Sequence, residues 1–168
     1  MKLWRFALAS LGATVMALAL PSAASAATAY TDTASGYEYY FSSTEGRFAG
    51  SASGSLPGYW NAIVDHTPLS PNAVVTGGSV DLTTYVNGAP ALVEGAVTGG
   101  TVTRLNPGAT GCVDQYYGVD LVLGGVGVNS PGAGTGDFGG TLIHHRNSVL
   151  GYCVTYSATI SGTLTVSF

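Results

Sequence analysis

Two of the three histidines in the chain, His144 and His145, stand side by side next to Arg146 in the stretch GGTLIHHRNSVLGYC. Imidazole is the side chain best placed to move protons near neutral pH, and it is a common metal ligand. A strand, however, sends adjacent side chains to opposite faces. Alternation groups His144 with Phe138, Leu142 and Arg146, and His145 with Thr141, Ile143 and Asn147. Without a bulge the two rings cannot meet on one ion or one substrate atom. The pattern favours one packed and one solvated imidazole, with His144 the buried one.

The third histidine, His66, follows Asp65 and precedes Thr67-Pro68. An acid beside a histidine can orient the ring for nucleophilic catalysis. No G-x-S-x-G accompanies it, and Asp, His and Pro also suit the turn that ends a strand. GTGDFG (residues 134–139) matches G-x-G-x-x-G. No helix follows to present its N-terminus to a phosphate, so the stretch reads as a turn inside a loop over 129–140. The carboxylates Glu38, Glu45, Asp65, Glu94, Asp114, Asp120 and Asp137 are scattered singly, without a calcium-loop run. A site that needs two acids would have to be assembled by the fold. Tyr59-Trp60 follow Pro57-Gly58, a turn expected to leave both rings exposed for stacking or surface binding. The binding candidates are therefore Tyr59, Trp60, His66 and His144, and the pattern indicates no catalytic residue, metal site or cofactor.

These residues sit in an exported chain. Lys2 and Arg5 precede an apolar run from Phe6 to Leu20, and Ala24-Ser25-Ala26 supplies the small residues of a cleavage site. That is the pattern of a secretory signal peptide over residues 1–26, leaving 27–168 as one domain, secreted or held in the cell envelope. The run is shorter than the roughly 20 residues of a transmembrane helix, and no second one follows. Past residue 26 the only basic side chains are Arg47, Arg104 and Arg146, against nine carboxylates. Nucleic acid is excluded as a partner on that balance. Cys112 and Cys153, the only cysteines, read as one disulfide in an oxidising compartment.

All but one of the chain's 25 glycines follow residue 26, with Val, Thr, Tyr and Ile between them and no helical stripe. The fold class is all-β: an antiparallel β-sandwich or small closed β-barrel. Strands are expected near 36–42, 46–53, 60–65, 73–86, 90–105, 111–117, 118–126, 138–146, 150–158 and 159–167. Val119, Leu121 and Leu123 share one face. Leu150, Tyr152, Val154, Tyr156, Ala158, Ile160, Leu164, Val166 and Phe168 share one parity, too long a run for one ordinary strand. A bend near Gly162, carrying the chain from one sheet to the next, is the expected break.

That last stretch, ending on Phe168, resembles the terminal strand of bacterial outer-membrane barrels over about nine residues. The resemblance implies lipid-facing apolar bands on every strand. Ser and Gly over 46–55 and 129–140 depart from such a band. The first functional expectation is a secreted non-catalytic β-domain that binds an unknown ligand, protein or cell-surface partner through its surface or a pocket. The second is a small secreted hydrolase or metal-dependent enzyme using His66, His144 or His145 with separated carboxylates. An outer-membrane-type β-barrel is the third.

Overall fold

The computed structural model describes residues 27–168; the expected signal peptide lies outside the described residues. Eight strands follow in order: β1 (Ala29–Phe41), β2 (Glu45–Gly54), β3 (Gly58–His66), β4 (Asn72–Val86), β5 (Ala89–Arg104), β6 (Gln115–Val128), β7 (Gly134–Val149) and β8 (Tyr152–Ser167). Each pairs antiparallel with the next, and β1 pairs with β8, closing the sheet into a barrel in chain order. Of the two expected architectures, the barrel is the one formed. Among the described residues no helix is long and apolar enough to cross a membrane.

Period-two alternation now has a definite meaning. One set of side chains fills the barrel, the other forms its outer wall. Val119, Leu121 and Leu123 point inward with Leu82, Val93, Phe138, Leu142, Ile160 and Leu164. Outside, β8 presents Thr159, Ser161 and Thr163, and β1 presents Thr33 and Ser35. Inner positions are thinned where strands cross closely. Gly162 faces Gly140, and a Cβ on Gly162 would stand 2.6 Å from the Gly140 Cα and 2.8 Å from the Phe138 ring. The aromatic ring occupies the space that two side chains would otherwise need.

The two ends differ. At the end holding Ala29 and Ser167, the loop from β2 to β3 folds under the barrel and inserts Leu56, 1% exposed. The Leu56 N–H donates to the buried Asp32 carboxylate at 2.8 Å, and Thr84 Oγ1 donates to the Pro57 carbonyl at 2.9 Å. Tyr30 stacks on Phe168 beside this plug, with ring centroids 4.9 Å apart. At the other end, β1 and β8 stop pairing after Tyr37↔Thr159, while β8 continues on β7 alone as a two-stranded arm.

Several expectations need correction. Residues 150–158 and 159–167 are not two strands in two sheets: β8 runs unbroken from Tyr152 to Ser167 in one closed sheet. A tilted barrel strand that extends past the rim can be this long. Its shared parity does not give a shared face either. A bulge between His145↔Ser157 and Arg146↔Thr155 leaves Tyr156 without a partner, so Tyr152, Val154 and Tyr156 are exposed while Ala158 and Ile160 are buried. GTGDFG is strand, not turn: it begins β7, where Gly136 lies so close to β8 that a Cβ would sit 2.5 Å from the Thr165 carbonyl oxygen. Residues 111–114 belong to a loop, and β6 is one strand rather than two.

The turn joining β7 to β8 is the two-residue Leu150-Gly151, with φ of 51° and 84°. The β4–β5 turn, Asn87-Gly88, takes the same geometry with the residues that favour it. Leu150 is 94% exposed, so its positive φ is not repaid by packing. Leu150→Asn should raise stability by about 1 kcal/mol, measured as a higher thermal midpoint; an unchanged or lower midpoint would show that the leucine is not strained.

Candidate functional site

The plugged end is full of side chains, but the opposite half of the barrel is not. A cavity of about 320 Å³ lies there, walled mainly by Phe48, Trp60, Val64, Leu142 and Ile160. Small side chains on adjacent strands make the space: Ala34 on β1, Gly46 on β2 and Ala62 on β3. Phe41, at the end of β1, and Pro68 and Leu69, from the β3–β4 connection, border it at the open end.

Into this apolar chamber the fold aims a few polar groups. Glu38 on β1 and His144 on β7 meet across it, 106 residues apart in sequence, with His144 Nε2 2.7 Å from Glu38 Oε2. Their side chains are 4% and 10% exposed respectively. A carboxylate only accepts, so Nε2 carries the hydrogen. The His144 ring lies between Phe41 and Tyr117, at centroid distances of 5.4 and 5.2 Å. His66, from the end of β3, also lines the cavity. Its Nδ1 donates to the Thr67 carbonyl at 2.8 Å, which turns Nε2 away from that bond.

A second polar layer holds the mouth. Gln115 turns its amide oxygen toward two guanidinium groups, which can only donate: Arg146 Nη1 at 2.8 Å and Arg104 Nη2 at 3.2 Å. Its amide nitrogen then donates to Tyr117 Oη at 3.0 Å. Burial pushes the Tyr117 phenol above its ordinary value, while Arg104 and Arg146 pull it back, so it remains a donor at neutral pH. The β5–β6 loop is tied down beside this layer by the Cys112–Cys153 disulfide, whose Cα atoms are 5.1 Å apart. On the loop-entropy account the bridge contributes roughly 4 kcal/mol.

His145 points the other way, as alternation requires. On the outer wall its Nδ1 lies 2.9 Å from Asp114 Oδ2 and its Nε2 3.1 Å from Thr159 Oγ1. Carboxylate, imidazole and hydroxyl in that order match the arrangement of a nucleophilic triad. Acyl transfer also needs free N–H donors for the oxyanion, and Thr159 is paired on both sides, with Tyr37 and Ile143. Asp114 instead serves the loop: its Oδ1 accepts the Arg146 N–H at 3.0 Å. That hydrogen bond first, and the His145 contact second, hold the Asp114 carboxyl below its usual range.

Of the four binding candidates, Trp60, His66 and His144 converge on the cavity, and Tyr59 does not. Tyr59 is 75% exposed on the outer wall, whereas Trp60 is 7% exposed. The expectation that both rings are exposed is corrected for Trp60. Neighbours on β3 take opposite faces, and the indole turns inward, its Nε1–H reaching the Ser51 carbonyl at 3.1 Å. Asp65 does not orient His66 for the same reason. No local pattern in the sequence marks Glu38 or Tyr117 as a residue of this cavity. Glu38 shares β1's inward parity with Asp32 and Ala34, the one signal that could have placed it. Among the described residues no cluster of three or more potential ligands could hold a metal ion. No family model, curated protein or solved structure matches the chain.

Substitutions separate these layers. His144→Phe should cost about 3–5 kcal/mol by leaving Glu38 buried alone, while Glu38→Leu with His144→Phe should restore the denaturation midpoint to wild type or above; equal loss in both would show that the pair stabilises the barrel. For Asp114 the lowered folded-state pKa means stabilisation that is complete above the ordinary carboxylate range and lost as pH falls through the folded value. Urea midpoints measured from neutral to acid pH should therefore fall less steeply for Asp114→Asn than for wild type, and parallel curves would refute the assignment.

Proposed function

We propose that this protein is a secreted, non-catalytic binding barrel that takes a small, largely apolar ligand into its open half. The carrying observation is the asymmetry of the interior. One half is plugged by Leu56 and packed, and the other keeps an apolar chamber of ligand size with a buried carboxylate–imidazole pair on its wall. Building such a pair into a barrel core is costly, which supports a role for it beyond stability. Export is supported by the disulfide, a feature of oxidising compartments.

The outer-membrane reading finds its opposite in the wall: Thr159, Ser161 and Thr163 face out along β8, while Ile160, Leu164 and Val166 face in. A lipid-facing barrel needs the reverse on its terminal strand. The hydrolase reading lacks oxyanion donors beside Thr159, whose neighbouring strands take up the backbone on both sides.

Trp60 is the one tryptophan after residue 26 and lies on the cavity wall, so the exported protein carries its own reporter. Titration with octanol should shift or quench its emission saturably. Ala62→Leu, which adds volume to the chamber, should weaken that binding by about tenfold or more without lowering the thermal midpoint. Binding that is unaffected by Ala62→Leu would place the ligand elsewhere.

A further inference from the structure

Few polar atoms are left free to meet a ligand in the cavity. Glu38 Oε2 is taken by His144, and Oε1 has no protein partner among the described residues. With Nε2 of His144 committed to Glu38, its Nδ1 has no protein partner among the described residues. With Nδ1–H committed to Thr67, His66 Nε2 likewise has no protein partner among the described residues. Glu38 Oε1, as a carboxylate oxygen, can only accept. The Tyr117 hydroxyl, receiving a bond from Gln115, is the counterpart donor.

Charge points the same way. Among the described residues, Glu38 is the only carboxylate lining the cavity, and no arginine lines it. Arg104 and Arg146 stand behind Gln115, with guanidinium N–H groups directed at its amide oxygen. Phe41, Trp60 and Tyr117 present aromatic rings around the chamber, surfaces that favour a cation over an anion. Residues 27–168 carry nine carboxylates against three arginines, so the field of the protein also draws cations toward it.

We infer that the cavity selects a hydrophobic amine, its ammonium group donating to Glu38 and its apolar body lying against Val64, Leu142 and Ile160. This rests on the binding reading above and adds the chemical class. A carboxylate-headed ligand of the same size is disfavoured, since it brings only acceptors and a second negative charge to the Glu38 wall.

The test uses exported wild-type protein, Trp60 fluorescence, and three probes of equal chain length: octylamine, octanol and octanoate at pH 7. Octylamine should bind at least about tenfold more tightly than octanoate, with octanol between them. Glu38→Gln should bring octylamine and octanoate to within about twofold of each other while octanol is little changed. If octanol binds but octanoate equals or exceeds octylamine, the arginines at the mouth govern the head group and the inference is overturned, with the binding reading intact. A ratio that survives in Glu38→Gln overturns it as well. Failure of all three probes to bind overturns both. Should Glu38→Gln not fold, the wild-type ranking decides alone.

Discussion

Closure of the sheet by β1 against β8, from Ala29↔Ser167 to Tyr37↔Thr159, is the constraint on which the rest depends. It leaves the barrel wall without a free edge there and forces every second residue into an enclosed interior. Eight strands surround a space that side chains can just fill. Whether it is filled becomes a matter of residue size. Leu56, Leu82, Leu123 and Val126 fill one half, and Ala34, Gly46 and Ala62 leave the other half open. Closure also ends before the strands do. Past Tyr37↔Thr159 the β7–β8 arm parts from β1, and the chamber reaches the rim between Phe41, Leu69 and Thr155.

The Glu38–His144 pair gives that opening a chemical character. Two ionisable groups removed from water recover their desolvation cost only in part from each other. A leucine and a phenylalanine could occupy the same positions. The pair also sits where the wall is otherwise apolar, flanked by Phe41 and Tyr117, so its electrostatic effect on a guest is screened little by solvent. On the outer wall, Asp114 and His145 form a superficially similar pair with a different role. They fasten the β5–β6 loop to the bulge in β7 and β8, together with the disulfide. One histidine belongs to the chamber and its neighbour to the frame that holds the mouth in shape.

Much of this is legible in the residues. Alternation alone places His144 inside and His145 outside and puts Val119, Leu121 and Leu123 on one face, and the cysteine count alone pairs Cys112 with Cys153. The errors have physical causes. Bulges are invisible to a period-two reading, which groups Tyr152, Val154 and Tyr156 with Ile160 and Leu164 although the unpaired Tyr156 reverses their face. Glycine reads as a turn residue, yet Gly134, Gly136 and Gly140 lie in β7 because neighbouring backbone approaches too closely for a Cβ. The turn before Trp60 suggests a surface ring, when its parity on β3 sends it inward. The Glu38–His144 contact spans strands near opposite ends of the chain and exists only because closure sets β1 against β8, the partner of β7. No local pattern carries that information.

One half of the interior is thus an open apolar chamber and the other a packed plug. Methyl-resolved NMR of the protein during addition of octanol reads both halves at once. Progressive, saturating shifts are expected for the methyls of Val64, Leu142 and Ile160, with those of Leu56, Leu82 and Val126 unmoved. Shifts spread evenly over both sets, or confined to outward-facing Ile63 and Val122, would contradict this division of the barrel.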